Sequence, residues 1–236
     1  MLGGVPLLHP HLIDVISAAQ KSGVSNQIRI VTNGLLLWKM TDAFWQSVNK
    51  VYVSIYPGKE MSTEQLELCK RQAQLYNVGL SLYYVDRFRE SYAELGTNDP
   101  SLVNRIYKTC QIAHIWRCHT VYDGYFYKCP QSLFLPQVLK NDDLTPSTID
   151  GIKIEDSLSF AQDLLAYLES PYPVASCKYC LGSVGKLFPH QQVSPQDWRQ
   201  LQQKSTEQSI DMKYLTRLET IDPRSTNLCQ RINLPR

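Results

Sequence analysis

Lys50-Val51-Tyr52-Val53-Ser54-Ile55-Tyr56 places Val51, Val53 and Ile55 on one face and stops at Pro57-Gly58. Period-two alternation of β-branched and aromatic residues, bounded by a turn dipeptide, predicts a strand. Working outward, residues 28–32 form a second β-branched run, closed by Asn33-Gly34, a turn signal. Between the two, residues 41–48 predict a helix capped by Thr41 or Asp42. Downstream, residues 62–76 predict a longer helix, with Ser62 and Gln65 spaced as a capping box, and residues 78–85 predict the next strand. Upstream, residues 12–22 read as an amphipathic helix with Leu12, Val15, Ile16 and Ala19 on one face, ended by Gly23. Strands alternating with helices of this length build a parallel sheet through right-handed crossovers, so the expected fold class is α/β.

The pattern changes after about residue 86. Thr120 to Cys129 predicts a β-hairpin turning at Asp123-Gly124. Residues 156–169 predict a helix with Leu158, Ala161, Leu165 and Leu168 inward, and residues 176–185 a loop holding Cys177-Lys178-Tyr179-Cys180. From residue 191 the chain turns Gln- and charge-rich, with short outer helices expected at 195–204 and 210–219. No internal repeat is present. The chain opens on a loop followed by a helix, with no strand before it, which leads us to expect further sequence upstream.

Apolar residues make up 43% of the 236 and charged residues 19%, the balance of a globular chain rather than a disordered one. A net charge of +2 gives no electrostatic reason to expect nucleic acid or an anionic membrane as partner. No apolar run approaches the ~18 residues that span a bilayer. Residues 1–10 lack the basic region and cleavage site of a signal peptide, so a cytoplasmic location is expected. The cytosol keeps thiols reduced, so the seven cysteines call for another explanation than disulfides. Cys69 and Cys229 stand alone, whereas Cys110, Cys118, Cys129, Cys177 and Cys180 are grouped, which points to a metal or cluster site.

Two sets of residues carry a family resemblance. Gly3-Gly4-Val5-Pro6-Leu7-Leu8-His9-Pro10 resembles the Gly-Gly-Glu-Pro segment of radical S-adenosylmethionine enzymes, and Thr32-Asn33-Gly34 at the next strand end is similar to the family as well. The resemblance implies that Gly3, Gly4, Pro6, Thr32, Asn33 and Ser54 face S-adenosyl-L-methionine, with Ser54 reaching the ribose. Val5 stands where the family has the glutamate that pairs with the cofactor's ammonium, and its side chain accepts no hydrogen bond. A Gly-Pro loop and a plain turn are the bland readings of the same residues.

Cys110, Gly124 and Cys129, followed by the CxxC of Cys177 and Cys180, resemble the SPASM or twitch module of that superfamily, in its one-cluster form. The implied ligands of an auxiliary 4Fe–4S cluster are Cys110, Cys129, Cys177 and Cys180. Four soft thiolates suit such a cube. Cys118 is a rival to Cys110, because it starts the same hairpin as Cys129 and can pair with it across the strands. Four thiolates also suit tetrahedral zinc, so a zinc site stays open. His119 and His190 flank the group as hydrogen-bonding neighbours, and Tyr122, Tyr125, Phe126, Tyr127 and Tyr179 read as packing around it. No Ser/His/Asp triad, P-loop or dinucleotide glycine fingerprint competes.

The superfamily hallmark, CxxxCxxC, is absent from this sequence. The resemblance therefore implies a truncated start or a degenerate homologue. It implies a partial (β/α)6 barrel over 1–108, a twitch-like module over 109–190 and a helical tail over 191–236. It also implies hydrogen abstraction from a small-molecule or peptide substrate (a ribosomal peptide, a sugar or an aminocyclitol), with flavodoxin or ferredoxin as electron donor. The reading from a different class is a non-catalytic binding module with a structural zinc or iron–sulfur site.

Overall fold

A computed structural model describes residues 5–139, 150–191, 194 and 203–221. The chain is mixed α/β, and its described residues divide into two compact units, up to residue 87 and from residue 88 onward. Gly3, Gly4 and Cys229, and most of the helix expected at 195–204, lie outside the described residues.

The first unit is built on a parallel sheet of order β1-β2-β3, with β1 at Arg29–Thr32, β2 at Lys50–Ile55 and β3 at Gly79–Tyr84. Its register sets Ile30 beside Val51 and Thr32 beside Val53, then Val51 beside Leu80 and Val53 beside Leu82. These side chains share one face. That face packs against α1 (Leu12–Lys21), α2 (Asp42–Ser47) and α3 (Thr63–Leu75) in a core that includes Ile16, Phe44, Trp45 and Cys69. Each fully buried aliphatic or aromatic side chain here contributes about 1.5–3 kcal/mol. Helix α3 opens with the expected capping box, whereas Thr41 sits at the N-cap position of α2 without a side-chain capping bond. On the opposite face Lys50, Tyr52, Ser54, Ser81 and Tyr83 are all half-exposed. The sheet thus accounts for the parallel α/β class, with helices on one face of three strands.

Among the described residues the second unit holds two small sheets. Strands β5 (Thr120–Tyr122), β6 (Tyr125–Tyr127) and β7 (Gly151–Lys153) form an antiparallel sheet, and β4 (Arg87–Arg89) pairs with β8 (Leu187–Pro189). Its helices are α4 (Pro100–Lys108), α5 (Gln111–His114), α6 (Pro130–Leu139), α7 (Phe160–Glu169), α8 (Thr206–Ser209) and α9 (Met212–Thr220). Asp99 caps α4 by accepting from the Ser101 N–H, and Asp211 caps α9 by accepting from the Tyr214 N–H.

Two expectations need correction. The boundary expected at 108 falls at 87/88, because α4 packs with the segment that carries the cysteines: Leu102 and Ile106 share a core with Val184, Ile210, Leu215 and Leu218. The helix expected over 210–219 forms at Met212–Thr220, with Leu215 and Leu218 buried in that core and its charged face outside. Helix α7 begins at Phe160 rather than 156, which leaves Leu158 fully exposed and Leu165 turned outward. The inward face is Phe160, Leu164, Tyr167 and Leu168, a stripe set by the 3.6-residue turn and by the hydrogen bonds of Tyr167.

Candidate metal centre

Three separate segments deliver the thiols. Helix α4 ends at Thr109, and the Cys110 N–H bonds back to the Tyr107 carbonyl as the chain turns into α5. The Gln111 N–H donates to Ser183 Oγ at 2.9 Å, which ties this corner to the loop just after Cys180. Asp123 and Gly124 both take positive φ, 47° and 75°, as a type I′ turn requires, so β6 folds back on β5 and Cys129 follows it directly. The Cys129 carbonyl accepts from Ser132 Oγ at 2.7 Å at the start of α6. Cys177 rides on a 3-10 turn, Ala175–Lys178, and Cys180 follows one turn later, its sulfur accepting from the Gly182 N–H at 3.3 Å. Gly182 has φ of +51° and lies against Cys110: a Cβ there would stand 3.5 Å from the Cys110 sulfur.

Cys110, Cys129, Cys177 and Cys180 line one cavity of about 20 Å³, together with Tyr107 and Lys128. The thiols are close enough to feel one another. Burial is the largest cause and pushes each thiol up, Cys110 to about 11; Cys177 and Cys180 are raised further by the charges of the neighbouring cysteines. None of the described cysteines is in a disulfide.

No protein-family model matches the chain, and no curated protein matches it.

Cys118 does not line the cavity, although it is near enough to Cys129 to feel its charge. The hairpin register pairs Thr120 with Tyr127, so Cys118 and Cys129 flank the paired rungs, and the N–H of Cys118 is taken by the Ile112 carbonyl. His119 hydrogen-bonds through Nδ1 to the Lys128 carbonyl at 2.9 Å and lies 5.2 Å from the Phe126 ring. His190 lies on Phe88, 5.6 Å between ring centroids. Tyr127 and Tyr179 are buried, whereas Tyr122 is exposed.

Lys128 and Asp150 are the residues that sequence reasoning missed. Lys128 is only 2% exposed, and its ammonium donates to Tyr107 Oη at 2.7 Å. Its Nζ lies 5.3 Å from the Tyr107 ring centre and 5.2 Å from that of Tyr167. Burial pulls its pKa down, opposed by the charges of Cys177 and Cys129. Asp150 accepts from the Ala175 and Ser176 N–H groups, and its carbonyl accepts from Tyr167 Oη, which itself accepts from the Lys128 N–H. A basic residue directly before Cys129 was the available signal for Lys128. Asp150 lies too far along the chain from Cys177 for spacing to reveal it.

The donor set fits an iron–sulfur group, since soft thiolates are its usual ligands. Among the described residues, no three His, Cys, Asp or Glu side chains gather as the ligand set of a single ion. Tetrahedral zinc with bonds of 2.3 Å would need its four sulfurs within about 3.8 Å of one another. A cube instead meets its sulfurs at separate corners. The cavity as it stands admits a water-sized occupant, so its walls would have to give to admit a cube.

Of the residues implied to face S-adenosyl-L-methionine, those described lie in the first unit. Pro6 opens a 3-10 turn, Pro6–Leu8, whose Leu7 is in the core. Thr32 Oγ1 accepts from the Gly34 N–H and Asn33 Oδ1 from the Leu35 N–H, both at 3.2 Å, so both side chains shape the turn after β1. Ser54 lies near the carboxyl end of β2 on the half-exposed face. Among the described residues no helix is long and apolar enough to cross a membrane.

Proposed function

We propose that this chain binds one iron–sulfur cluster through Cys110, Cys129, Cys177 and Cys180, and serves as the auxiliary-cluster portion of a radical S-adenosylmethionine enzyme with a partial (β/α)6 barrel and a twitch-like module. The observation that carries the reading is that four thiols from three separate segments line one cavity. When bound, the cluster would accept or pass a single electron, or hold substrate beside the reacting centre. The chain's own contribution is to hold the loops that carry the thiols, through Asp150 on the Cys177 turn and Ser183 beside Cys110. Thr32, Asn33 and Ser54, at the carboxyl ends of parallel strands, lie where α/β sheets commonly receive ligands. In this reading the substrate is a small molecule or a peptide, and the electron donor is a flavodoxin or a ferredoxin.

A structural zinc is the second reading: the small cavity suits it better than a cube, although among the described residues the thiols do not gather as the ligand set of a single ion. Anaerobic reconstitution with iron and sulfide separates the two. The cluster reading expects a brown protein with about four irons per chain. A colourless protein that retains one zinc per chain would establish the zinc reading instead. Without CxxxCxxC, this chain incubated with S-adenosyl-L-methionine and dithionite is expected to form no deoxyadenosine by chromatography, and turnover would overturn that part of the proposal.

A further inference from the structure

A buried lysine needs a negative partner. Removing an ammonium from water costs several kcal/mol unless an opposite charge or a full set of acceptors compensates. Lys128 is 2% exposed, and its ammonium is given two oxygens, Tyr107 Oη at 2.7 Å and the Ser170 carbonyl at 3.5 Å, both neutral. The Tyr167 ring, its centre 5.2 Å away, adds a cation–π contact. No carboxylate is within ion-pair reach of it among the described residues. Lys128 is among the residues that line the cavity with Cys110, Cys129, Cys177 and Cys180.

Four thiolates around an iron–sulfur cube make a group of net negative charge, more negative by one when reduced. A fixed cation at its edge stabilises both states and the reduced one more, which raises the reduction potential. We infer that Lys128 is the counter-ion of the cluster held by Cys110, Cys129, Cys177 and Cys180, and that it sets the cluster's reduction potential. Tyr107 is the positioning residue, because its hydroxyl aims the ammonium and its ring walls the cavity. This rests on the cluster reading proposed above, and goes beyond it by assigning a residue that supplies no ligand.

The test is an anaerobic spectroelectrochemical titration of the reconstituted full chain, alongside its iron content, for the parent, Lys128→Met and Tyr107→Phe. Methionine keeps the length and apolar stem without the charge. Lys128→Met should retain four irons and require a potential lower by at least ~59 mV, a tenfold smaller reduced-to-oxidised ratio at fixed poise for a one-electron couple. Tyr107→Phe keeps the charge but frees the ammonium, and should shift the potential in the same direction by less. Equal potentials in the parent and in Lys128→Met, with full iron in both, would overturn the inference and leave the cluster reading standing. A parent that binds no iron sinks both. If Lys128→Met fails to hold its cluster, Tyr107→Phe decides: a lowered potential supports the assignment and an unchanged one refutes it.

Discussion

The carboxylate of Asp150 accepts the N–H groups of Ala175 and Ser176, each at 2.8 Å, and so holds the turn that carries Cys177 to the cavity. Asp150 is itself buried, and it is the hinge between the antiparallel sheet and the CxxC loop, since its own carbonyl receives Tyr167 Oη and β7 begins one residue later. Two backbone donors and a charged acceptor are thereby satisfied in one place.

Removing that carboxylate should cost both stability and metal. Asp150→Ala leaves two N–H groups without their charged acceptor, a loss on the order of 3 kcal/mol. Urea denaturation should show that loss, and iron content after reconstitution should fall by more than half. Asp150→Asn keeps one acceptor oxygen and should lie between parent and Asp150→Ala. An Asp150→Ala protein as stable as its parent would refute the role.

The cysteines should separate by whether they line the cavity. Alanine at Cys110, Cys129, Cys177 or Cys180 should remove most of the cluster absorbance. Alanine at Cys118 should leave most of it, and at Cys69, buried in the other unit's core, all of it. Cys229→Ala is expected to be neutral, from its isolation in sequence. If Cys118→Ala abolishes the absorbance while Cys110→Ala preserves it, Cys118 is the ligand.

Gly185 should tolerate no side chain. A Cβ there would overlap the Glu90 carbonyl, which is backbone and cannot swing aside. The neighbouring Lys186 carbonyl accepts from the Glu90 N–H at 2.9 Å, so the close approach is part of the β4–β8 pairing. Gly185→Ala is expected to destabilise by about 3 kcal/mol, at the upper end for overpacking, as read by thermal unfolding. Gly58→Ala, facing open space at φ of +73°, provides the comparison for backbone strain alone.

Cys69 should be chemically silent in the native protein. Its side chain is fully buried, and burial pushes its thiol up to about 11. The thiolate is the reactive form, so iodoacetamide at pH 8 should label Cys69 only after denaturant is added, as mass spectrometry of the digested protein would show. A raised folded pKa means that the neutral thiol favours the fold: the contribution is whole below about pH 8.5, the ordinary thiol value, and is lost as pH rises towards 11. Rapid labelling of native protein at pH 8 would count against the burial of this site.

What could be read from the chain alone was whatever local pattern determines. The alternation of Val51, Val53 and Ile55 fixed both the strand and its buried face, because a period of two leaves a strand no other way to present them. Ser62 with Gln65, and Asp123 with Gly124, stated their helix start and hairpin turn through chemistry confined to four residues. The spacing of the cysteines grouped Cys129, Cys177 and Cys180, but it left Cys110 and Cys118 as rivals.

Tertiary structure decided what depends on partners distant in sequence. Helix α7 reads from its own residues as though Leu158 and Leu165 face inward; Tyr167, drawn to Asp150 and to the Lys128 N–H, rotates the helix the other way. Residues 210–219 read as a short outer helix, but only packing shows what it covers: Leu215 and Leu218 complete the core over Leu102 and Ile106. Cys110 rather than Cys118 lines the cavity because Ser183 anchors the turn at Gln111, an interaction that no local pattern announces. Short-range periodicity thus determined the α/β class, and the clustering of the cysteines marked a candidate metal site. Which thiols share a cavity, and that a buried lysine stands beside them, follows from packing alone, because the energy of those contacts is shared between segments that are each ambiguous in isolation.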